Sequence, residues 1–400
     1  MTTEEAGSHA SARHQRVVEP RVGADRVAVF TQRYLPYSQT FIYDEIRHHR
    51  RYAVEVFTGE TMNLDRFPVA NIHGDDARET RAQRLDGVLR STVFYSAMHD
   101  RILRRREFGV LHAHFGTAAP HALPFRLRYG LPLIVTFHGF DAGVLERRLR
   151  WGRWRYRALA PVLFRYVTRF LAASEELASI LVEAGAPAER VRVWRVGIEV
   201  PETTVAPRPR PNVLMVGRFV EKKGFGFGLE AFARVASRHP NARLDVVGEG
   251  PLAAELERAA AELGIADRVT FYGPLPHARV LELMGRSLVL LAPSVTTRRG
   301  DRESGLVVVK EAAARSVPAV ASEHGGIPEI VRDGETGFLV PERDIGALAE
   351  RLERFLDDAS VRQAMGAAAR ADMERRYDIR DRVAELEDHY DEVRREAAAW

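Results

Sequence analysis

Residues 201–217 read PETTVAPRPRPNVLMVG. Four prolines fall within Pro201–Pro211. Proline lacks a backbone donor and fixes φ, so this stretch suits neither a helix nor an inner strand. It reads as a linker. Directly behind it Asn212–Gly217 (NVLMVG) reads as a buried strand closing on a glycine. Moving outward, the same pattern stands on both sides. Upstream, Arg26–Phe30, Tyr52–Phe57, Val110–Ala113, Leu133–Phe137 and Phe170–Ala173 read as strands, with helical patterns such as Thr40–His49 and Ala119–Tyr129 between them. Downstream, strands at Arg243–Val247, Val269–Tyr272, Leu288–Ala292 and Ala319–Ala321 alternate with helices at Phe225–Ser237, Leu252–Leu263 and Leu306–Arg315. From Ile345 to Ala399 the pattern is helical almost throughout. Strand alternating with helix predicts a parallel sheet covered on both faces. Two such halves around one linker predict an α/β protein of two Rossmann-like domains facing a central cleft. Ligands of such sheets bind outside the carboxyl ends of the strands.

Composition narrows the function. A chain of 400 residues fits two domains. With 46 % apolar and 28 % charged residues it has the make-up of a soluble globular protein. It holds no cysteine, which excludes disulfides, a thiol nucleophile and a thiolate metal site. The first 24 residues are polar, without the apolar core of a secretory signal, and read as a disordered tail. No run of 18 apolar residues is present, so no transmembrane helix is expected. These features point to the cytoplasm, with room for peripheral contact at the inner face of a membrane. A net charge of +4 is small for this length, and no basic-aromatic module suggests a nucleic-acid partner.

Most of the readable chemistry lies between Pro293 and Gly337. Glu303 falls in a loop after a strand, and Glu311 in the helix that follows. Between them Ser304, Gly305 and Leu306 would offer backbone N–H groups at a helix start, a site suited to phosphate. Carboxylates beside it suit sugar or ribose diols. Upstream, a strand ends at Gly217, and Arg218 and Lys223 follow before a helix. Two cations there are placed to clamp a diphosphate and to stabilise it as it departs. On their own, two glutamates near a helix start and a basic loop are both common surface features.

The ordered set is more telling than its parts. GRFVEKKG, LDVVGEGP, VTFYGPLP, LLAPSV, the Glu303/Glu311 pair and PAVASEHGGIPEIVRDGETGFLVPERD resemble the family 4 retaining glycosyltransferases of the GT-B fold. In the first half YLPYSQTFIYDEI, LHAHFG, TFHGFD and LAASEEL resemble the same family, in its exopolysaccharide and colanic-acid branch. The resemblance implies that Arg218 and Lys223 bind the pyrophosphate and Glu311 the nucleotide ribose. It implies that Glu303 contacts donor-sugar hydroxyls and that His138 lies near the reaction centre. Gly217, Ser304, Gly305, Leu306 and Val307 would line the phosphates and sugar, and Tyr272, Gly273 and Leu275 would flank the base. The sequence departs from many relatives at Tyr34–Thr40, where a Gly-rich loop is usual, at Gly305, one place early, and at Lys310, where an apolar residue is usual.

These readings divide the chain into a tail (1–24), an acceptor-binding domain (25–200), the linker (201–211), a nucleotide-sugar-binding domain (212–375) and a C-terminal helix (376–400) crossing back to the first domain. The expected activity is retaining transfer of a hexosyl group from a nucleoside-diphosphate sugar, UDP-linked by preference, to an acceptor hydroxyl on a small molecule or lipid-linked carrier. A GT-B epimerase, a sugar phosphorylase and a non-catalytic nucleotide-sugar binder are the alternatives. No Asp-x-Asp stands in the chain, so no metal cofactor is expected for catalysis. His112, His114 and His121 are accompanied by no carboxylate cluster and read as structural. Glu146–Arg169 holds eight arginines among aromatic residues. It suits either an anionic membrane surface or an Arg-faced helix with a buried aromatic side, interrupted at Pro161.

Overall fold

The computed structural model describes residues 25–36, 39–74, 80–139, 154–203, 212–298, 300–303 and 305–398. The tail, most of the linker, residues 140–153 and Ser304 lie outside these. The first half builds a seven-stranded sheet from β1 (Asp25–Thr31), β2 (Tyr52–Thr58), β3 (Ile72–His73), β4 (Val110–His114), β5 (Leu133–Phe137), β6 (Arg169–Ala172) and β7 (Val191–Val193). Every pairing is parallel, in the order β3-β2-β1-β4-β5-β6-β7. The helices of this half are α1 (Thr40–His48), α2 (Arg81–Val93), α3 (Ala97–Arg105), α4 (Ala119–Tyr129), α5 (Trp154–Tyr166) and α6 (Glu175–Glu183). Strands β2, β4 and β5 are buried at every position, as a sheet covered on both faces requires.

The second half repeats the plan with six parallel strands: β8 (Asn212–Val216), β9 (Arg243–Val247), β10 (Val269–Phe271), β11 (Val289–Ala292), β12 (Ala319–Ser322) and β13 (Gly337–Val340). Their order is β10-β9-β8-β11-β12-β13. Helices α7 (Phe225–Ala236), α8 (Ala253–Glu262), α9 (His277–Gly285) and α10 (Val307–Ala313) connect them, and α11 (Ile345–Asp357), α12 (Ala359–Arg376) and α13 (Ile379–Ala398) close the chain. Separate apolar clusters fill the two faces of this sheet.

Two backbone hydrogen bonds fasten the crossings between the halves. Ile198 N donates to Tyr377 O over 2.8 Å, and Ile379 N donates to Ile198 O over 3.0 Å. Past this point α13 lies against the first half. Its Leu386, Tyr390 and Val393 belong to the first core. The Glu387 carboxylate accepts from the backbone N–H groups of Arg50 and Arg51 at 2.7 Å each and of Tyr52 at 3.3 Å.

Several details differ from the sequence reading. Helix α5 runs through Pro161. The missing N–H removes one ladder bond, but Ala160, Leu163 and Phe164 around it are buried in the first core and hold the helix together. That burial also fits an Arg-faced helix with a buried aromatic side over the segment's C-terminal part. Its arginine-rich start, through Arg153, lies outside the described residues. The strands β3, β7 and β13 were not read, being two to four residues long. Helix α10 is shorter than the Leu306–Arg315 pattern, because Ser316 adopts a left-handed φ of 60° and turns the chain.

Candidate active site

The strand orders reverse direction between β1 and β4 in the first sheet and between β8 and β11 in the second. At such points the connections depart to opposite sides and leave a crevice at the carboxyl ends. The loops after β8 and β11 flank the second crevice, and they carry Arg218, Lys223 and Glu303.

Gly224 shows why these loops meet. It holds φ 63°, and a Cβ there would lie 1.8 Å from Pro293 O. Only glycine lets the two loops approach so closely. Val295 N then donates to Lys222 O over 2.9 Å. Lys223 Nζ comes to 3.2 Å from Glu303 Oε1, with Lys222 Nζ 3.7 Å from the same oxygen and 3.5 Å from Asp301. Burial alone would raise the Glu303 carboxyl, but Lys223 and Lys222 hold it below the usual carboxylate value. Arg218 is exposed on the rim. Gly217, before it, packs against the Lys223 stem.

Glu303 is fixed from behind by a buried histidine. His324 Nε2 accepts from Glu303 N at 3.0 Å, so its Nδ1 carries the proton and donates to Glu342 Oε1 at 2.7 Å. Glu342 also accepts from Thr296 N and Oγ1, 2.8 Å each. Gly325, beside His324, holds φ 53°, and a Cβ there would lie 1.9 Å from Glu303 O. His324 and Gly325 therefore set the height of the Glu303 backbone in the crevice.

Glu311 does not join this cluster. On α10 its Oε1 meets His277 Nε2 at 2.6 Å, at the first residue of α9. Burial would lower the His277 imidazole, but the Glu311 carboxylate and Asp44 raise it above its ordinary value. Asp44 stands on α1, across the cleft. Burial and the nearby Glu199 push its carboxyl up to about 6. The start of α10 has no side-chain cap, with Leu306 as its N-cap, and Gly305 faces Ala173 of the first domain. Tyr272 is held by a 2.9 Å bond from its N to Val246 O, Gly273 O accepts from Gly248 N at 3.0 Å, and Leu275 packs on the sheet core.

His138 stands at the carboxyl end of β5, half-buried against Phe41 and Phe115, with ring centroids 4.8 and 4.7 Å away. Its Nε2 lies 3.2 Å from His114 Nδ1. Burial, then the neighbouring His114 and Lys310, hold the imidazole well below its ordinary value. It is neutral at neutral pH, able to donate through one ring nitrogen and accept through the other.

Ion pairs close the halves over this site. Arg302 meets Glu176 at 2.9 Å and Arg195 meets Glu329 at 3.0 Å. Lys310 Nζ donates to Val196 O over 2.9 Å and lies 4.5 Å from the Tyr377 ring. Lys310 thus places a buried amine at the crossing between the halves.

Lys222, His277, His324 and Asp44 were not singled out from sequence. His324 had a usable signal, since it lies within the SEHGG stretch directly after β12. His277 and Asp44 had none, because only the fold brings them to Glu311. The histidines on β4 need correction. A carboxylate does accompany them: Glu45 Oε1, from α1, is 3.1 Å from His114 Nε2 and 4.0 Å from His112 Nδ1. Sequence distance hid it. His121 instead packs its ring against Phe94.

Two family models match along the chain: "Glycosyltransferase Family 4" over residues 39–201 and "Glycosyl transferases group 1" over residues 199–372. The chain belongs to the family 4 glycosyltransferases. Similar proteins include the amylovoran biosynthesis glycosyltransferase AmsK of Erwinia amylovora, 29 % identical over 87 % of this chain and 95 % of AmsK. They also include the putative colanic acid biosynthesis glycosyltransferase WcaL of Escherichia coli, 32 % identical over 62 % of this chain and 61 % of WcaL. The GT-B fold is shared with Anabaena Alr3699/HepE, crystallised with UDP and glucose. That likeness has a TM-score of 0.75 at 18 % identity and covers 92 % of this chain and all of HepE. As a family 4 glycosyltransferase the chain is an enzyme. No helix among the described residues is long and apolar enough to cross a membrane.

Proposed function

We propose that the protein transfers a hexosyl group from a UDP-sugar to an acceptor hydroxyl, with retention at the anomeric carbon, during assembly of an extracellular polysaccharide. One observation carries this reading. Three side chains suited to a nucleoside-diphosphate sugar, Arg218, Lys223 and Glu303, stand on the second domain where the loops after β8 and β11 meet, and a fourth, Glu311, follows on α10. The names of AmsK and WcaL support the pathway class, and HepE with UDP-glucose supports the donor class.

In this reading the donor diphosphate draws Lys223 from Glu303 and meets Arg218 at the rim. The Glu311 carboxylate, already fixed by His277, accepts from the ribose hydroxyls. Glu303, freed of part of its ion pair, accepts from hydroxyls of the donor sugar, and His138 faces that sugar from the first domain. The bond from C1 to the diphosphate oxygen breaks as the acceptor oxygen bonds C1 on the same face. The acceptor proton passes to the leaving diphosphate. Lys223, Arg218 and the backbone at the start of α10 stabilise the charge that develops there, and no metal ion is needed to hold it. Domain closure excludes water. The acceptor, a small molecule or a lipid-linked sugar, enters from the first domain. The enzyme works in the cytoplasm, at the inner membrane face when the acceptor is lipid-linked.

The test is product NMR after incubation with UDP-hexoses and mono- and lipid-linked sugar acceptors. An anomeric configuration matching the donor is expected. An inverted product contradicts the mechanism. Acceptor-free conversion of one UDP-hexose into another would make the protein an epimerase instead.

A further inference from the structure

We propose that the first domain holds a divalent metal ion, with Zn2+ as the natural fit, between Glu45, His112 and His114. The site is separate from the donor crevice and lies beneath His138.

All three side chains are buried at 1 % exposure or less. An ionised carboxylate at such depth needs a close partner. Yet neither Glu45 oxygen makes a hydrogen bond, and neither does His114 Nε2. Glu45 Oε1 and His114 Nε2 are only 3.1 Å apart, so distance does not prevent a bond between them. The oxygen stands off the line along which a ring N–H would donate. Two atoms in van der Waals contact but not aimed at one another are the arrangement of neighbouring ligands on one ion. With Zn–N and Zn–O bonds of about 2.0–2.2 Å, tetrahedral neighbours lie about 3.4 Å apart. His112 Nδ1 is 4.0 Å from the same oxygen, within reach of a modest side-chain shift. Imidazole and carboxylate together suit Zn2+ better than Ca2+ or Mg2+.

The outer nitrogens are already served, as in established metal sites where the second ring nitrogen donates to a fixed partner. His112 Nε2 lies 2.7 Å from Thr136 Oγ1, and His114 Nδ1 lies 3.2 Å from His138 Nε2. An ion on His114 Nε2 leaves the proton on Nδ1, which then donates to His138 Nε2 and fixes that ring. His112 Nδ1 now contacts the Tyr390 hydroxyl at 2.7 Å. It would exchange that contact for the ion, so α13 stands directly over the site. His49 borders the pocket, its Nδ1 3.0 Å from Glu45 O. The ion would tie α1 to β4 at the first sheet's reversal point. The surface group His239, Glu353 and Asp357 is the other potential ligand cluster among the described residues. Arg238 already occupies both oxygens of Glu353 there.

The experiment uses the full chain, stripped with chelator and then titrated with Zn2+ by calorimetry and with Co2+ by visible absorption. One ion per chain is expected, with Co2+ bands of low symmetry. Glu45→Gln and His114→Gln should each weaken binding at least tenfold, and His239→Ala should leave it unchanged. Melting curves show whether each variant folds. If either buried variant fails to fold, the wild-type titration and His239→Ala still decide. No stoichiometric ion in the wild type, or loss of binding in His239→Ala, would overturn the site and leave Glu45 and His114 as a buried ion pair.

Discussion

Replacing Lys223 by alanine tests the proposed donor site at its centre. Lys223 is mostly buried, with its ammonium 3.2 Å from a carboxylate that is itself 11 % exposed at the side chain. Two effects follow, and they can be separated. With donor bound, the variant lacks one charge-assisted contact to phosphate, worth about 1.5–3 kcal/mol. If that contact strengthens as charge moves onto the leaving diphosphate, kcat/KM falls by roughly 10- to 100-fold. Without donor, Glu303 loses its nearer counter-ion but keeps Lys222 at 3.7 Å. The fold should therefore survive with a small loss of thermal stability. Because Lys223 and Lys222 hold the Glu303 carboxyl below its usual value of 4.5, that pair contributes stability above pH 4.5. The contribution disappears as pH falls through the lowered value. The wild type should thus lose stability relative to Lys223→Ala in that acidic window. The assay is initial-rate release of UDP over a range of donor concentrations, beside melting curves at pH 7 and below 4.5. Donor kinetics within threefold of wild type, in a folded variant, would refute the placement of the diphosphate between the β8 and β11 loops.

Three further outcomes follow from the geometry. Glu311→Ala should weaken nucleotide binding at least tenfold, by calorimetry, with the fold intact; it should also let His277, whose imidazole Glu311 raises, return toward 6.5 in an NMR titration. Glu387→Ala leaves three backbone N–H groups at the start of β2 without their carboxylate, and should cost about 3 kcal/mol by denaturant unfolding; a change under 0.5 kcal/mol would contradict the role of α13 as a strap on the first domain. Burial, with Arg195 nearby, lowers Lys310 to about 7 from 10.5, so between those pH values the unfolded chain binds the extra proton and stability rises with pH. Wild type should therefore gain stability relative to Lys310→Met between pH 7 and 10, and parallel curves would contradict the buried amine.

The sequence made the architecture legible because buried parallel strands are continuous apolar runs. Arg243–Val247 and Leu133–Phe137 have the boundaries read from their sequence. Short edge strands carried too little pattern: Val191–Val193 alternates a buried valine with an exposed arginine. Lys223 was readable because it sits in a local motif beside Gly224, which shapes its loop, and Glu303 because it precedes a helix start that carries a second glutamate, Glu311. What joins distant residues was not readable. Glu45 and His114 are 69 positions apart, and His277 and Glu311 34, and only the sheet order brings each pair together. Pro161 shows the reverse error, a local rule overridden by burial of its helix.

The proposed function requires the second domain to hold a nucleoside diphosphate between Lys223 and Glu311. A thermal-shift panel of UDP, GDP, ADP and dTDP on the wild type and on Lys223→Ala tests it most directly. A nucleotide at 100 times its dissociation constant stabilises by about 2.7 kcal/mol, which is a rise of several degrees for domains of this size. UDP should give the largest shift, and that shift should shrink sharply in Lys223→Ala. Equal shifts in both proteins, or none with any nucleotide, would contradict it.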